Sequence, residues 1–188
     1  VNESNNLSFR PNAPILPLVD TLKSLRTNLY AVNNDNSISL QDGVLTLYQN
    51  NYSNAVDFFE DVPKLANFSE NISLINNGQN LSIDSRKNIN VNDTIVYGIT
   101  GMRQKNYILE FTIKGFMHTN LSGLLLDGFL HTKNAINMNG TSAIEVNVNS
   151  VTASFSKKRF SLLYSISLVD GKIPLRRSDS RRDKTIQH

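Results

Sequence analysis

The sequence predicts an all-β fold, specifically an antiparallel β-sandwich of Greek-key or jelly-roll type. Three observations carry this expectation. Short polar/apolar alternations recur along the chain, as half-buried strands require. Asn-Gly and Asp-Gly pairs punctuate them, and these dipeptides favour tight turns. The composition agrees: 26 Asn and 20 Ser make up about a quarter of the 188 residues. Such residues suit turns and exposed strand faces better than helix surfaces. The pattern corresponds to about ten strands, with at most one short helix.

The elements follow in order. Residues 1–21 form an irregular lead-in, in which Pro11, Pro14 and Pro17 each remove a backbone donor. Pro14–Leu18 can therefore lie along a sheet edge or lead to an upstream domain, but cannot be a central strand. A β domain is expected over residues 22–170. Ser24–Val32 is its first strand. Ser37–Leu40 and Val44–Tyr48 flank Gln41-Asp42-Gly43, read as a hairpin turn. Ser53–Asn67 is the best helical candidate, with Val56, Phe58, Phe59, Val62 and Leu65 as its apolar contacts and Pro63 limiting it to one or two turns.

Ile72–Ile75 and Leu81–Ile83 flank Asn77-Gly78, a second hairpin signal. Thr94–Ile99 and Gly123–Leu130 are further strands. Tyr107–Lys114 places Tyr107, Leu109, Phe111 and Ile113 on one face. Asn139-Gly140 marks a turn before Ile144–Asn149, where Ile144, Val146 and Val148 face inward. Phe160–Leu168 aligns Phe160, Leu162, Tyr164, Ile166 and Leu168.

Charge is unevenly placed. The formal net charge is +3, yet residues 172–188 alone carry about +4 and the first 171 residues about −1. The basicity belongs to a tail, residues 171–188, which lacks the interleaved aromatics of a nucleic-acid site. No nucleic-acid partner is expected. No apolar run reaches the length of a membrane-spanning helix, so no membrane insertion is expected either. With no Cys, disulfides, thiolate metal sites and a Cys nucleophile are excluded. The chain begins at Val1 rather than Met, which reads as a mature or excised piece of a longer protein.

Catalytic motifs are absent: there is no G-x-S-x-G, no phosphate-binding glycine loop and no H-E-x-x-H. The expectation is a protein that is not an enzyme. Asp84, Arg86, Asp127 and Arg159 stand beside apolar strands, where charges must be paired, and they read as structural pins. His118, His131 and His188 lack metal-ligand spacing, and no metal site is assigned. Calcium is the one candidate cofactor. The oxygen-rich runs Asn33-Asn34-Asp35-Asn36 and Asp57, Glu60, Asp61 carry it, although neither has a helix-loop-helix calcium signature. Sugar binding is the natural rival function. Trp, the usual stacking residue, is missing; Tyr30, Tyr48 and Tyr52 are the candidates, while Tyr97 and Tyr107 lie in strand patterns. Nine Asn-x-Ser/Thr sequons occur, as an Asn-rich chain produces by chance.

An ordered set of fragments carries a resemblance. These are Tyr107 and Leu109, then Leu125, Leu126, Asp127, Leu130 and Thr132, then Ile136, Gly140 and Thr141, and finally Arg159-Phe160. Upstream, Leu25–Tyr30, Asp42–Leu47, Tyr52–Asp57 and Lys64–Asn71 extend it over most of residues 22–165. The set resembles a β-sandwich module of large secreted surface proteins of the Bacteroidota, placed just upstream of the type IX secretion sorting region. The chain departs from that pattern at its end, which is a basic tail and not a sorting region. The resemblance implies an extracellular or cell-surface location and a structural, display or adhesive role. Its partners would be neighbouring domains or other surface proteins. It also implies O-glycosylation at Thr21 and Thr94, in Asp20-Thr21-Leu22 and Asp93-Thr94-Ile95. The runner-up is a carbohydrate-binding or adhesin module recognising a surface polysaccharide.

Overall fold

The alternations form strands, and their hydrogen bonds join them into one sheet. The computed structural model describes residues 22–117 and 120–166. The strands are β1 (Lys23–Val32), β2 (Ile38–Tyr48), β3 (Val62–Pro63), β4 (Asn71–Asn76), β5 (Gln79–Arg86) and β6 (Thr94–Thr100). They continue with β7 (Asn106–Lys114), β8 (Leu121–Asp127), β9 (Thr132–Ile136), β10 (Thr141–Asn147) and β11 (Phe160–Ile166). One 3-10 turn, Thr152–Phe155, precedes β11.

The order across the sheet is β10-β7-β1-β2-β5-β4-β6-β11-β8-β9, with β3 pairing to β5 off this path. The protein is all-β. Its strands form a nearly closed, barrel-like sheet rather than two clearly separate layers. All pairings are antiparallel except β2 with β5, a departure from the fully antiparallel expectation. Parallel neighbours need a long crossover, and residues 49–78 supply it. Strands β9 and β10 are consecutive in the chain but end the sheet on opposite sides. They touch without pairing, and this is the gap in the barrel.

Two of the turn signals stand. Asn77 and Gly78 have φ of 46° and 79°, the two positive values of a type I′ turn, and they join β4 to β5. Asn139-Gly140 lies in the connection from β9 to β10, and period two holds after it: Val146 and Val148 are buried while Glu145, Asn147 and Asn149 are exposed. Asp42-Gly43 is not a turn. Both residues lie inside β2, and the true turn is at 33–37, where Asn36 has φ 63°. Leu29 faces Asp42 and Tyr30 faces Leu40, so Gln41 is the extra residue of a bulge. A bulge flips every later side chain to the other face. Ile38 and Leu40 thereby join Leu45 and Leu47 on the outside of the sheet.

The helix expected over Ser53–Asn67 does not form. The segment makes one isolated turn, in which Glu60 and Asp61 both donate to the Asp57 carbonyl, and then pairs Val62-Pro63 with β5. Phe58, Phe59, Val62 and Leu65 are exposed; only Val56 packs against the core. An apolar helical face with no facing partner gains nothing by forming, since most helix stability comes from packing.

The inner faces of β1, β2, β4, β6, β7 and β11 supply most of the core, with single residues from other strands. Leu25, Leu29, Tyr48, Ile72, Leu74, Ile95, Tyr97, Leu109, Phe111, Leu162 and Tyr164 belong to one buried cluster. Each such side chain contributes about 1.5–3 kcal/mol relative to remaining exposed.

Candidate functional site

The four charged residues singled out from the sequence form two separate pairs. Asp127 ends β8, and Arg159 immediately precedes β11, two strands that run side by side. Arg159 grips the carboxylate at two points, Nε to Oδ1 at 2.9 Å and Nη2 to Oδ2 at 2.6 Å. Its Nη1 donates to the carbonyls of Asn147 and Ser154. The rings of Phe129 and Phe160 lie 5.0 and 4.7 Å from the guanidinium. Asp127 Oδ1 also accepts the N–H groups of Phe129 and Leu130, which shapes the turn into β9. Burial pushes the Asp127 carboxyl up. The Arg159 and backbone N–H bonds, with the Arg159 charge, outweigh it, and the group titrates below the usual aspartate range. The pair thus ties β8, β10, β11 and the 3-10 turn together.

Asp84 and Arg86 both lie on β5. Arg86 Nε donates to Asp84 Oδ2 at 2.6 Å, and Nη1 reaches the Thr94 carbonyl. Asn76 Nδ2 holds the other Asp84 oxygen. This pair fastens β5 to β4 and β6.

Two further charge clusters went unnoticed in the sequence. Asp42 accepts from Lys64 Nζ at 2.6 Å and from the Ile72 N–H at 2.8 Å, so the bulge anchors both β4 and the segment before it. Buried Glu70 accepts the Tyr107 hydroxyl and pairs with Lys105 at 3.2 Å. Burial raises the Glu70 carboxyl, but its own N–H, Tyr107 and Lys105 together bring it below the ordinary range. The signal for both was an acid flanking a strand with a lysine elsewhere in the chain, and nothing local pairs those partners.

The candidate sugar-stacking tyrosines separate. Tyr48 is corrected: it is 2 % exposed and shares a 2.9 Å hydrogen bond with the Tyr164 hydroxyl, so its ring faces no solvent. Tyr97 and Tyr107 are likewise buried, Tyr97 against Thr27 Oγ1 at 3.0 Å. Burial drives the Tyr48, Tyr97 and Tyr164 hydroxyls far above their usual range, and that of Tyr107 up to about 12. Tyr30 and Tyr52 remain half-exposed. Tyr30 lies on the outer face of β1, its hydroxyl near Glu110 Oε1 and Asn28.

The acids of the oxygen-rich runs accept hydrogen bonds from backbone N–H groups and one serine hydroxyl. Asp35 accepts the Ser37 hydroxyl and N–H, and these bonds lower its pKa. Asp61 takes the N–H groups of Asp57 and Ser85, Asp57 that of Phe59, and Glu60 that of Ser53. Among the described residues no three His, Cys, Asp or Glu gather as a metal site. His131 is exposed in the β8–β9 turn, with φ 56°. Thr94 is half-buried at the start of β6 and donates to the Asn92 carbonyl. Thr21, His118, His188, the lead-in and the basic tail lie outside the described residues.

Among the described residues, Phe59, Leu65 and Phe68 are the most exposed large apolar side chains, and Phe58 beside them is exposed as well. No protein-family model, curated protein or solved structure matches the chain.

Proposed function

We propose that this chain is a non-catalytic structural or display module of a secreted or cell-surface protein, of the kind its sequence resembles in the Bacteroidota. The observation that carries this reading is the use to which its buried charges are put. Asp127, Arg159, Asp84 and Glu70 each bind a side chain or backbone group of the scaffold. Their role is to fasten strands, which a rigid spacing or presenting module requires, and it calls for no cofactor. In the same reading the nearly closed sheet is a flattened barrel, whose two halves act as the layers of a jelly-roll sandwich. Contacts between the halves support this: Tyr97 of β6 meets Thr27 of β1 and Phe111 of β7, and Tyr48 of β2 meets Tyr164 of β11.

One observation favours the runner-up, recognition of a surface polysaccharide. The Tyr30 ring sits on an outer sheet face beside Asn28 and Glu110, polar groups suited to sugar hydroxyls. A glycan array on the full chain separates the two readings. The structural reading expects no specific hit. A specific hit abolished by Tyr30→Ala, with an unchanged melting temperature, would replace it with the carbohydrate-binding reading.

A further inference from the structure

Strand β2 turns its larger aliphatic side chains the wrong way for a core. Its inner face carries Val44, Thr46 and Tyr48, whereas Leu45 and Leu47 point outward. The bulge at Gln41 adds Leu40 to the same outer face, 59 % exposed. This stripe runs beside β1, where Arg26 lies directly opposite Leu45. Lys114 of β7 is placed opposite Ser24, one step diagonally from Arg26 and on the same face. Neither cation makes an ion pair or hydrogen bond among the described residues. Arg26 and Leu45 line two adjoining depressions, of about 470 and 370 Å³, and Lys114 lines the second. Two carboxylates are near and both are taken: Asp42, which lines the first depression, pairs with Lys64 and accepts the Ile72 N–H, and Glu110 accepts from Asn28 and Tyr30.

We infer that the outer face of β1, β2 and β7 docks an acidic protein segment. The aliphatic stripe takes its apolar ridge, and Arg26 and Lys114 take its carboxylates. The inference rests on the reading of the chain as a structural module, and it names the chemistry of the neighbour. Charge complementarity selects the occupant: an aliphatic strip beside two cations that have no carboxylate partner among the described residues matches an acidic, leucine-bearing surface. No aromatic ring lines either depression, which disfavours a polysaccharide.

The test uses the full chain, labelled for amide NMR, and a synthetic peptide of alternating Leu and Asp. The same peptide with Lys for Asp is the control, and a polygalacturonate oligosaccharide is the sugar arm. The expected result is saturable binding of the acidic peptide, with shifts confined to β1, β2 and β7. Binding should weaken at least tenfold in Arg26→Glu/Lys114→Glu, a surface variant expected to keep its melting temperature. Equal binding of the Lys peptide, shifts mapping elsewhere, preference for the oligosaccharide, or no saturable binding would each overturn the inference. Loss of peptide binding leaves the structural reading standing, because that reading answers to the glycan array.

Discussion

Two buried arginine–aspartate pairs hold this sheet, and they are not equivalent. The Arg159 side chain is 1 % exposed, and its guanidinium is spent on Asp127, two carbonyls and two ring faces. The Arg86 side chain is 16 % exposed and has one carboxylate bond and one carbonyl bond. The difference shows what burial demands. A fully desolvated charge is tolerated only when every direction is satisfied, while a cation near the surface keeps water as a fallback. The first pair therefore joins four elements, and the second clips neighbouring strands.

The largest effect should come from Arg159→Ala, which strands Asp127 in the interior. A loss of about 3–5 kcal/mol is expected from urea denaturation. Arg86→Ala should cost less, about 2 kcal/mol, because water can enter where the side chain reached solvent. If the order of these two losses were reversed, exposure would not be what separates the pairs.

The acid limb sharpens the same contrast. The folded pKa of Asp127 is lowered, so its contribution is fully present above the unfolded aspartate range. It is lost as pH falls through the folded value. Melting temperature should therefore drop below about pH 4, and the drop should be shallower in Arg159→Ala, where the carboxylate has already lost its partner.

A smaller and opposite effect is expected at Thr46, whose buried hydroxyl has no hydrogen-bond partner among the described residues. Thr46→Val should stabilise by about 1 kcal/mol, read as a higher urea midpoint at unchanged slope. No stabilisation would mean that the hydroxyl is satisfied by water.

Legibility in the sequence followed the range of the interaction. The period of Tyr107–Ile113 and the turn at Asn77-Gly78 are local, and both stand as read. Asp42-Gly43 misled because a bulge and a hairpin use the same residue types; what decides is whether the flanking runs pair with each other or continue into one strand. The apolar residues of 53–67 suggested a buried face, but no element among the described residues lies opposite them. Asp127 and Arg159 were recognisable as charges needing partners. That each is the other's partner is a fact of strands β8 and β11 lying side by side.

What the sequence by itself determined is the all-β class, most strand positions, and the need of Asp84, Arg86, Asp127 and Arg159 for partners, though not that of Asp42 or Glu70. Alternation and turn chemistry are properties of neighbouring residues, so they can be read in a line. Only the tertiary structure decided the strand order, the parallel β2–β5 contact, the gap between β9 and β10, and the outward turn of Leu45 and Leu47. These depend on pairings between residues far apart in the chain and on a one-residue bulge. A change of one residue in register reverses a face without altering the composition that predicts the strand.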